Sequence, residues 1–179
     1  TNGAIHTGTI DVGDLDAWTL TANVGESIVV RMGEVAVGGT LTPWLRIYSP
    51  AGALLDSSFG NVAAEVAVTA TSGGTYLVVA GDATSGFTGS GAYRMTLAKT
   101  GSAVVVSPGD EGGPLTNGAI HTGTLDVGDL DAWTLTANVG ESIVVRMGEV
   151  SVGGALTPWL RIYSPAGALL DSSFGNVAA

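Results

Sequence analysis

The chain has 179 residues, of which 16 are acidic, 6 are basic and none is cysteine, so its formal net charge at pH 7 is −10. This charge argues against nucleic acid or an anionic membrane surface as partner, and the lack of cysteine excludes disulfide and zinc–thiolate chemistry. No run approaches the roughly 18 apolar residues of a membrane span, so membrane insertion is not expected. The scarcity of lysine and the abundance of glycine, threonine and serine favour a secreted or cell-surface protein.

The residues 1–64 return as residues 116–179 with three substitutions, at Ile10 (Leu125), Ala36 (Ser151) and Thr40 (Ala155). The 51 residues between the copies occur once, so the repeating unit is 115 residues long. A period of this length indicates a repeated domain and not the turn of a solenoid.

Apolar and polar residues alternate with period two in eight short segments of the first copy. Turn residues such as Asp11-Val12-Gly13-Asp14 and Ser49-Pro50-Ala51-Gly52 separate them. The predicted strands are 4–10, 17–22, 27–32, 45–48, 53–56, 65–70, 75–80 and 92–98, with a loop at 57–61. This pattern predicts an all-β protein with a jelly-roll-like antiparallel β-sandwich at 1–100. Leu45 and Ile47 should face inward, and Arg31 should face outward.

The residues 101–115 contain Pro108-Gly109 and Gly112-Gly113-Pro114, which predict a linker. An apolar run at 103–106 (Ala103, Val104, Val105 and Val106) interrupts it. We consider two interpretations of this run: a strand of the first domain, or an edge strand that is offered to a neighbouring molecule.

The second copy, 116–179, is an incomplete repeat with the first four or five strands of a sandwich and no counterpart of 65–97. Its open sheet edges would be an aggregation hazard. Exchange between identical chains cannot complete it, because each chain brings two N-terminal halves and one C-terminal half. We favour a longer repetitive polypeptide; cleavage, or pairing of the two N-terminal halves, is the alternative. Residues 65–98 could complete either 1–64 or 116–179.

An ordered series of motifs carries a family resemblance: Gly13-Asp14-Leu15-Asp16-Ala17-Trp18, Gly25-Glu26, Leu41-Thr42-Pro43-Trp44, Gly73-Gly74-Thr75-Tyr76 and Gly91-Ala92-Tyr93-Arg94. It resembles the bacterial pre-peptidase C-terminal domain across 1–98, and again in part across 116–179. The resemblance implies a jelly-roll-like module of secreted or surface proteins that is adhesive or substrate-binding, sometimes with calcium. Ala17 separates the family's adjacent Asp-Trp pair, so a role of that pair transfers only in part.

The densest cluster of hard oxygen ligands is Asp11, Asp14 and Asp16, repeated as Asp126, Asp129 and Asp131. Calcium takes six to eight oxygen ligands, which carboxylates and turn carbonyls can supply. The spacing is not that of an EF-hand, and acidic turn residues are commonly solvated. Calcium is therefore the one cofactor we consider, beside the alternative of none.

An aromatic row, Trp44, Arg46 and Tyr48, occupies alternate positions of a predicted strand and recurs as Trp159, Arg161 and Tyr163. Tryptophan, arginine and tyrosine are enriched at binding hot spots, so the row is a candidate surface for an extracellular polymer or a neighbouring subunit. The alternatives are that a loop covers it or that Trp44 caps the end of the sandwich.

No catalytic motif accompanies the two histidines, His6 and His121, so we do not expect an enzyme. Two functions remain. The first is a structural or adhesive tandem-repeat protein that binds copies of itself in a cell-surface or extracellular fibre. The second is an accessory module that holds the protein or glycan substrate of a secreted peptidase.

Overall fold

The computed structural model describes residues 1–151 and 153–175 and confirms the predicted all-β class. In these ranges there is no helix of the length and apolarity that a membrane span needs. The first copy and the residues after it form eight strands, β1 to β8, with the bounds Ile5–Ile10, Leu15–Ala22, Ser27–Glu34, Pro43–Tyr48, Leu54–Phe59, Ala63–Thr69, Gly74–Asp82 and Gly91–Lys99.

These strands form two antiparallel sheets, of order β1-β8-β3-β6 and β2-β7-β4-β5. The strands pair as β1 with β8, β2 with β7, β3 with β6 and β4 with β5, which is the topology of a jelly roll. Strands β7 and β8 lie in the interior of their sheets, so residues 74–99 complete the first copy and not the second.

The core forms where the inward-facing side chains of the two sheets meet. Leu45 and Ile47 of β4 are fully buried, as are Ile28 and Met32 of β3. The intervening Arg31 is only partly buried and lies on the opposite face. Burial of each large aliphatic side chain contributes about 2 kcal/mol, so the period-two pattern by itself selects the inner face of each strand.

Strand β5 is longer than the sequence predicts. The predicted loop at 57–61 is wrong in its first part, because Ser57, Ser58 and Phe59 continue the ladder with β4, and Phe59 lies opposite Trp44. Strand β4 begins at Pro43, earlier than predicted. Its first residues therefore need hydrogen-bond partners, which the end of β5 supplies. Pairing across the hairpin therefore outweighs the low strand propensity of two serines.

The predicted strand at 103–106 does not form. The segment instead lies beside the first residues of its own domain: the amide of Val105 donates to the carbonyl of Asn2 at 2.9 Å. The amide of Ile5 donates to the Ser107 hydroxyl at 2.9 Å. One backbone hydrogen bond does not make a ladder, so these residues form no strand in this structure. A role of Val104, Val105 and Val106 at an interface stays a prediction.

The second copy keeps only part of the predicted half-sandwich. Its strands are β10 (Ala132–Thr134), which pairs in parallel with the linker strand β9 (Gly112–Pro114), and the antiparallel hairpin β11 (Trp159–Tyr163) and β12 (Leu169–Phe174). In the first copy, β1 and β3 pair with β8, and β2 pairs with β7. Residues 116–179 contain no counterpart of β7 or β8, so among the described residues only the self-paired hairpin forms as it does in the first copy.

Candidate functional site: the contact between the two copies

The Asp-Val-Gly-Asp segment folds into the same tight turn in both copies. In the first turn, residues 11–14, the amide of Asp14 donates to the carbonyl of Asp11 at 3.0 Å, and φ of Gly13 is 77°. The Asp14 carboxylate accepts from the amide of Leu15 at 2.8 Å. In the second turn, residues 126–129, the corresponding values are 3.1 Å, 82° and 2.8 Å. This turn is fixed locally, with or without flanking strands. Its glycine adopts the positive φ at no steric cost, and its last aspartate accepts a hydrogen bond from the backbone beside it.

A polar area on the outer face of the first sheet contacts the second turn. Arg31 lies opposite Thr96 in the ladder between β3 and β8, and Gly33 lies opposite Arg94. All four point away from the core, because their neighbours along each strand are the buried core residues. We call these four residues the socket.

Arg31 and Thr96 bind the C-terminal end of the second turn. The Arg31 guanidinium donates to the carbonyl of Asp129 at 2.9 Å. The Thr96 hydroxyl lies 3.3 Å from the carbonyl of Gly128 and 3.2 Å from the Asp129 carboxylate, and shares its proton between them. Asp129 is 2% exposed, so these hydrogen bonds are made away from solvent.

Gly33 and Arg94 bind the middle and the start of the same turn. A Cβ atom on Gly33 would lie 2.5 Å from the amide nitrogen of Gly128, so the two backbones touch only because both positions are glycine. The Arg94 guanidinium pairs with the Asp126 carboxylate at 2.8 Å. The socket is therefore complementary to the turn in both shape and charge.

The hairpin of the second copy makes a further contact with the first sheet. Glu65 of β6 accepts from Arg31 at 2.7 Å and from Arg161 of the hairpin at 2.7 Å, so one carboxylate joins the two copies. The hairpin's turn also approaches closely: a Cβ atom on Gly167 would lie 2.2 Å from the carbonyl oxygen of Gly25.

The predicted aromatic row lies on the outer face of the second sheet. The Arg46 guanidinium stands 4.0 Å from the centre of the Trp44 ring, and Phe87 stacks on Trp44 at 6.3 Å with 4° between the rings. Trp44, Arg46 and Tyr48 are all half-buried. The Phe87 loop thus covers part of Trp44, as one of the alternatives expected. In the second copy Arg161 stands over Trp159 and bonds Glu65, so that row contributes one residue to the contact between copies. Tyr163 is half-buried. A role of either row in binding another molecule stays a prediction.

The six predicted calcium ligands do not act as two equal sets. The structure brings together Asp129, Asp131 and the linker residue Asp110. One carboxylate oxygen of each lies within 4.8 Å of the corresponding oxygen of the other two. The remaining predicted ligand of this copy, Asp126, pairs with Arg94 and is not part of this acidic triad. Within the described residues, the triad is therefore the candidate metal centre, and a metal role of Asp126 stays a prediction.

The first-copy aspartates Asp11, Asp14 and Asp16 form no such group within residues 1–151 and 153–175. Asp16 instead accepts a hydrogen bond of 2.6 Å from the buried hydroxyl of Tyr93, which also accepts from the Trp18 indole at 2.9 Å. The sandwich thus uses Asp16 internally, and a metal site on Asp11, Asp14 and Asp16 stays a prediction.

Asp131 is the second-copy counterpart of Asp16 but has no tyrosine to bond. Its Oδ1 atom is buried without a hydrogen-bond partner among the described residues. Burial, together with the charges of Asp129, Asp110 and Glu111, raises the pKa of Asp131 to about 7. Ionising Asp131 in the docked segment therefore costs free energy. The stability of the docked segment should fall as the pH rises from about 4 to about 7, because Asp131 loses its proton over that range.

Sequence reasoning missed Asp110. It lies in the linker, 19 residues before Asp129, and only the docking of the second turn brings it near the other two. The one available signal was the acidic pair Asp110-Glu111 inside an otherwise Gly/Pro-rich stretch. Three clustered carboxylates and an unpaired buried oxygen fit a hard divalent cation, which would neutralise their mutual repulsion.

We expect calcium to raise the melting temperature of the chain through the acidic triad. A cation that binds only the folded, docked state stabilises it by about 1.4 kcal/mol at tenfold excess over Kd, or roughly 5 °C. Thermal unfolding without calcium and at about 5 mM calcium, which exceeds the Kd of a weak extracellular site, measures the shift. Asp131→Asn should abolish it and Asp16→Asn, at the matched position of the first copy, should not. An unchanged melting temperature in the unsubstituted chain would contradict the prediction.

No protein-family model matches the sequence, and no match was found among curated proteins. Similar solved structures include PliG, a periplasmic inhibitor of g-type lysozyme from Aeromonas hydrophila, at 13% identity and a TM-score of 0.44, covering 54% of this chain and 84% of that one. The pre-peptidase C-terminal domain of a Bacillus anthracis collagenase has 15% identity and a TM-score of 0.44, covering 54% of this chain and 89% of that one. At these identities the likeness concerns the backbone alone. The fold and the site define a jelly-roll β-sandwich whose outer face binds part of a second copy.

Proposed function

We propose that this chain is a secreted, non-catalytic tandem-repeat protein, related to pre-peptidase C-terminal domains. Its β-sandwich copies bind one another in a cell-surface or extracellular fibre. The sequence resemblance across 1–98 supports the family and the secreted location. The binding of one copy by the next supports self-association.

The observation that carries this proposal is the asymmetric contact between the copies. The first copy contributes a sheet face, through Arg31, Glu65 and Arg94, and the second contributes a turn and a hairpin. A contact between two different surfaces of the same unit is heterologous, so it can be repeated along an array unless its rotation closes a ring.

The near-identity of the copies supports the same conclusion. The two socket residues that fall within the repeated text, Arg31 and Gly33, recur as Arg146 and Gly148. None of the three substitutions between the copies falls on a residue of either turn. Each further copy would therefore bring the same contact groups.

Electron microscopy of a polypeptide that carries residues 1–115 four times in tandem tests the proposal. We expect stiff rods in which the sandwiches follow one another at a regular spacing, and lateral or end-to-end association of these rods. Independent beads on a flexible string, with monodisperse behaviour in sedimentation, would contradict it.

The exposed aromatic surface favours the alternative function, a module that holds the substrate of a secreted peptidase. Trp44 and the Phe87 ring, which is 53% exposed, form a flat stacked pair beside Arg46. Trp44→Ala should then abolish co-sedimentation with an insoluble protein or glycan polymer, whereas Trp159→Ala should not. Equal binding by all variants would remove this candidate.

A further inference from the structure

The first turn lies on the surface outside any socket, and we call it the free turn; its one bond to the rest of the sandwich in the described residues is from the Gly13 amide to the Phe87 carbonyl at 3.0 Å. In the second turn, by contrast, Gly128 and Asp129 are buried. Asp11, Gly13 and Asp14 are exposed, and a Cβ atom on Gly13 would meet nothing within 4 Å. A Cβ atom on Gly128 would instead lie 2.5 Å from the amide nitrogen of Gly33. The part of the chain that the structure describes therefore carries two identical turns and a single socket, which is occupied by one of them.

The free turn presents the same groups that the socket binds in the second turn. The Asp11 carboxylate corresponds to the one that pairs with Arg94, and the Asp14 carbonyl corresponds to the one that accepts from Arg31. Both turns have the same internal hydrogen bonds and the same positive φ at glycine. No rearrangement of the first turn is needed for it to match the docked form.

We propose that the socket is a recognition site for the Asp-Val-Gly-Asp turn of any copy, and that the first turn of one molecule binds the socket of another. The partner is thus a second copy of this chain. This inference deepens the proposed function and rests on it for its biological use, namely end-to-end growth of a fibre. Turn and socket lie on different surfaces of one sandwich, so each added molecule leaves one of each open.

The chain's own second turn competes for the socket. The linker holds it close, at an effective concentration on the order of millimolar, so a second molecule at lower concentration displaces it rarely. The unsubstituted chain should therefore remain closed and monomeric in dilute solution, and emptying the socket should release association.

Gly128→Val empties the socket, because a β-branched residue at φ +82° is strained and its Cβ atom would clash with Gly33 and the Arg94 carbonyl. In sedimentation velocity we expect the mass of this variant to rise with concentration, well above the 17.8 kDa of one chain. The unsubstituted chain should stay near that mass at the same concentrations.

Two variants derived from Gly128→Val separate turn from socket. Adding Gly33→Val fills the socket and leaves the free turn; Gly33 is in an ordinary strand conformation and its Cβ would point into the docked turn. Adding Asp11→Ala with Asp14→Ala removes both carboxylates of the free turn, which correspond to those that bind Arg94 and Thr96 in the docked turn, and leaves the socket. Each should be monomeric alone, and an equimolar mixture should form a dimer and nothing larger.

A Gly128→Val chain with native far-UV circular dichroism that stays monomeric up to millimolar concentration would overturn the inference. So would association that persists in either derived variant alone. The four-copy polypeptide distinguishes failure of this inference from failure of the proposed function. Regular rods that Gly33→Val leaves unchanged would retain the fibre and reject the socket. A dimeric mixture of the two variants, with no rods from the four-copy polypeptide, would retain the socket and reject the fibre.

Discussion

Replacing Leu45 by alanine is expected to lower the free energy of unfolding by about 3 kcal/mol, the usual cost of a cavity at a fully buried leucine. The same replacement at Leu160, its counterpart in the second copy, is expected to cost less than about 1 kcal/mol. Leu45 is 0% exposed inside the two-sheet core, whereas Leu160 belongs to a two-stranded hairpin and is only partly buried. Urea unfolding followed by circular dichroism measures both values.

The repeat supplies the control in this comparison, because residues around the two leucines are identical. Any difference between the variants therefore reflects tertiary packing alone. Equal losses at Leu45 and Leu160 would mean that the second copy has a core of its own, contrary to the structure.

Glu26→Gln is expected to cost about 3 kcal/mol, because it leaves the charge of Lys99 buried without its partner. The ammonium group of Lys99 and the Glu26 carboxylate form an ion pair in which the side chains are 5% and 9% exposed. The counterpart Glu141 keeps the hydrogen bonds to Asn138 but is exposed. Glu141→Gln should therefore have little effect, and thermal or urea unfolding at pH 7 compares the two.

The same pair predicts how stability depends on pH. The bond from Lys99, opposed by burial, lowers the pKa of Glu26 from 4.5 to about 2. A lowered carboxyl pKa means that the stabilisation is complete above about pH 4.5 and is lost as the pH falls from there towards 2. We expect Glu26→Gln to flatten this part of the stability curve. A curve of unchanged slope between pH 4.5 and 2 would show that Glu26 is not the group responsible.

Much of the sandwich could be predicted from short stretches of sequence. Alternation in 27–32 and 45–48 places Ile28 and Leu45 inside, because a strand exposes successive side chains to opposite faces. Glycine and proline mark the turns, so the number of strands and the jelly-roll class follow. The predicted ends of the strands were less accurate. At Ser57 and Ser58, the partner strand and not the local residue type decides where the strand ends.

The candidate site was only partly predictable. Asp129 and Asp131 were identified as acidic turn residues, but Asp110 joins them through contacts across a linker. The socket itself left no signal, because Arg31 and Arg94 are 63 residues apart and each resembles an ordinary outward-facing strand residue. Their proximity follows from the pairing of β3 with β8, which depends on the whole fold.

The two copies separate what the sequence determined from what the tertiary structure decided. Identical residues form identical turns at 11–14 and 126–129, because those hydrogen bonds close within a few residues. Residues that differ only at Ile10 (Leu125) form β1, β2 and β3 in the first copy but hardly any strand in the described part of the second, since a strand needs backbone partners from a neighbour. Strands β7 and β8 supply those partners once only. The turns, the alternation and the self-paired hairpin were thus set by sequence, and the sandwich, the socket and the acidic triad by which segments found a partner.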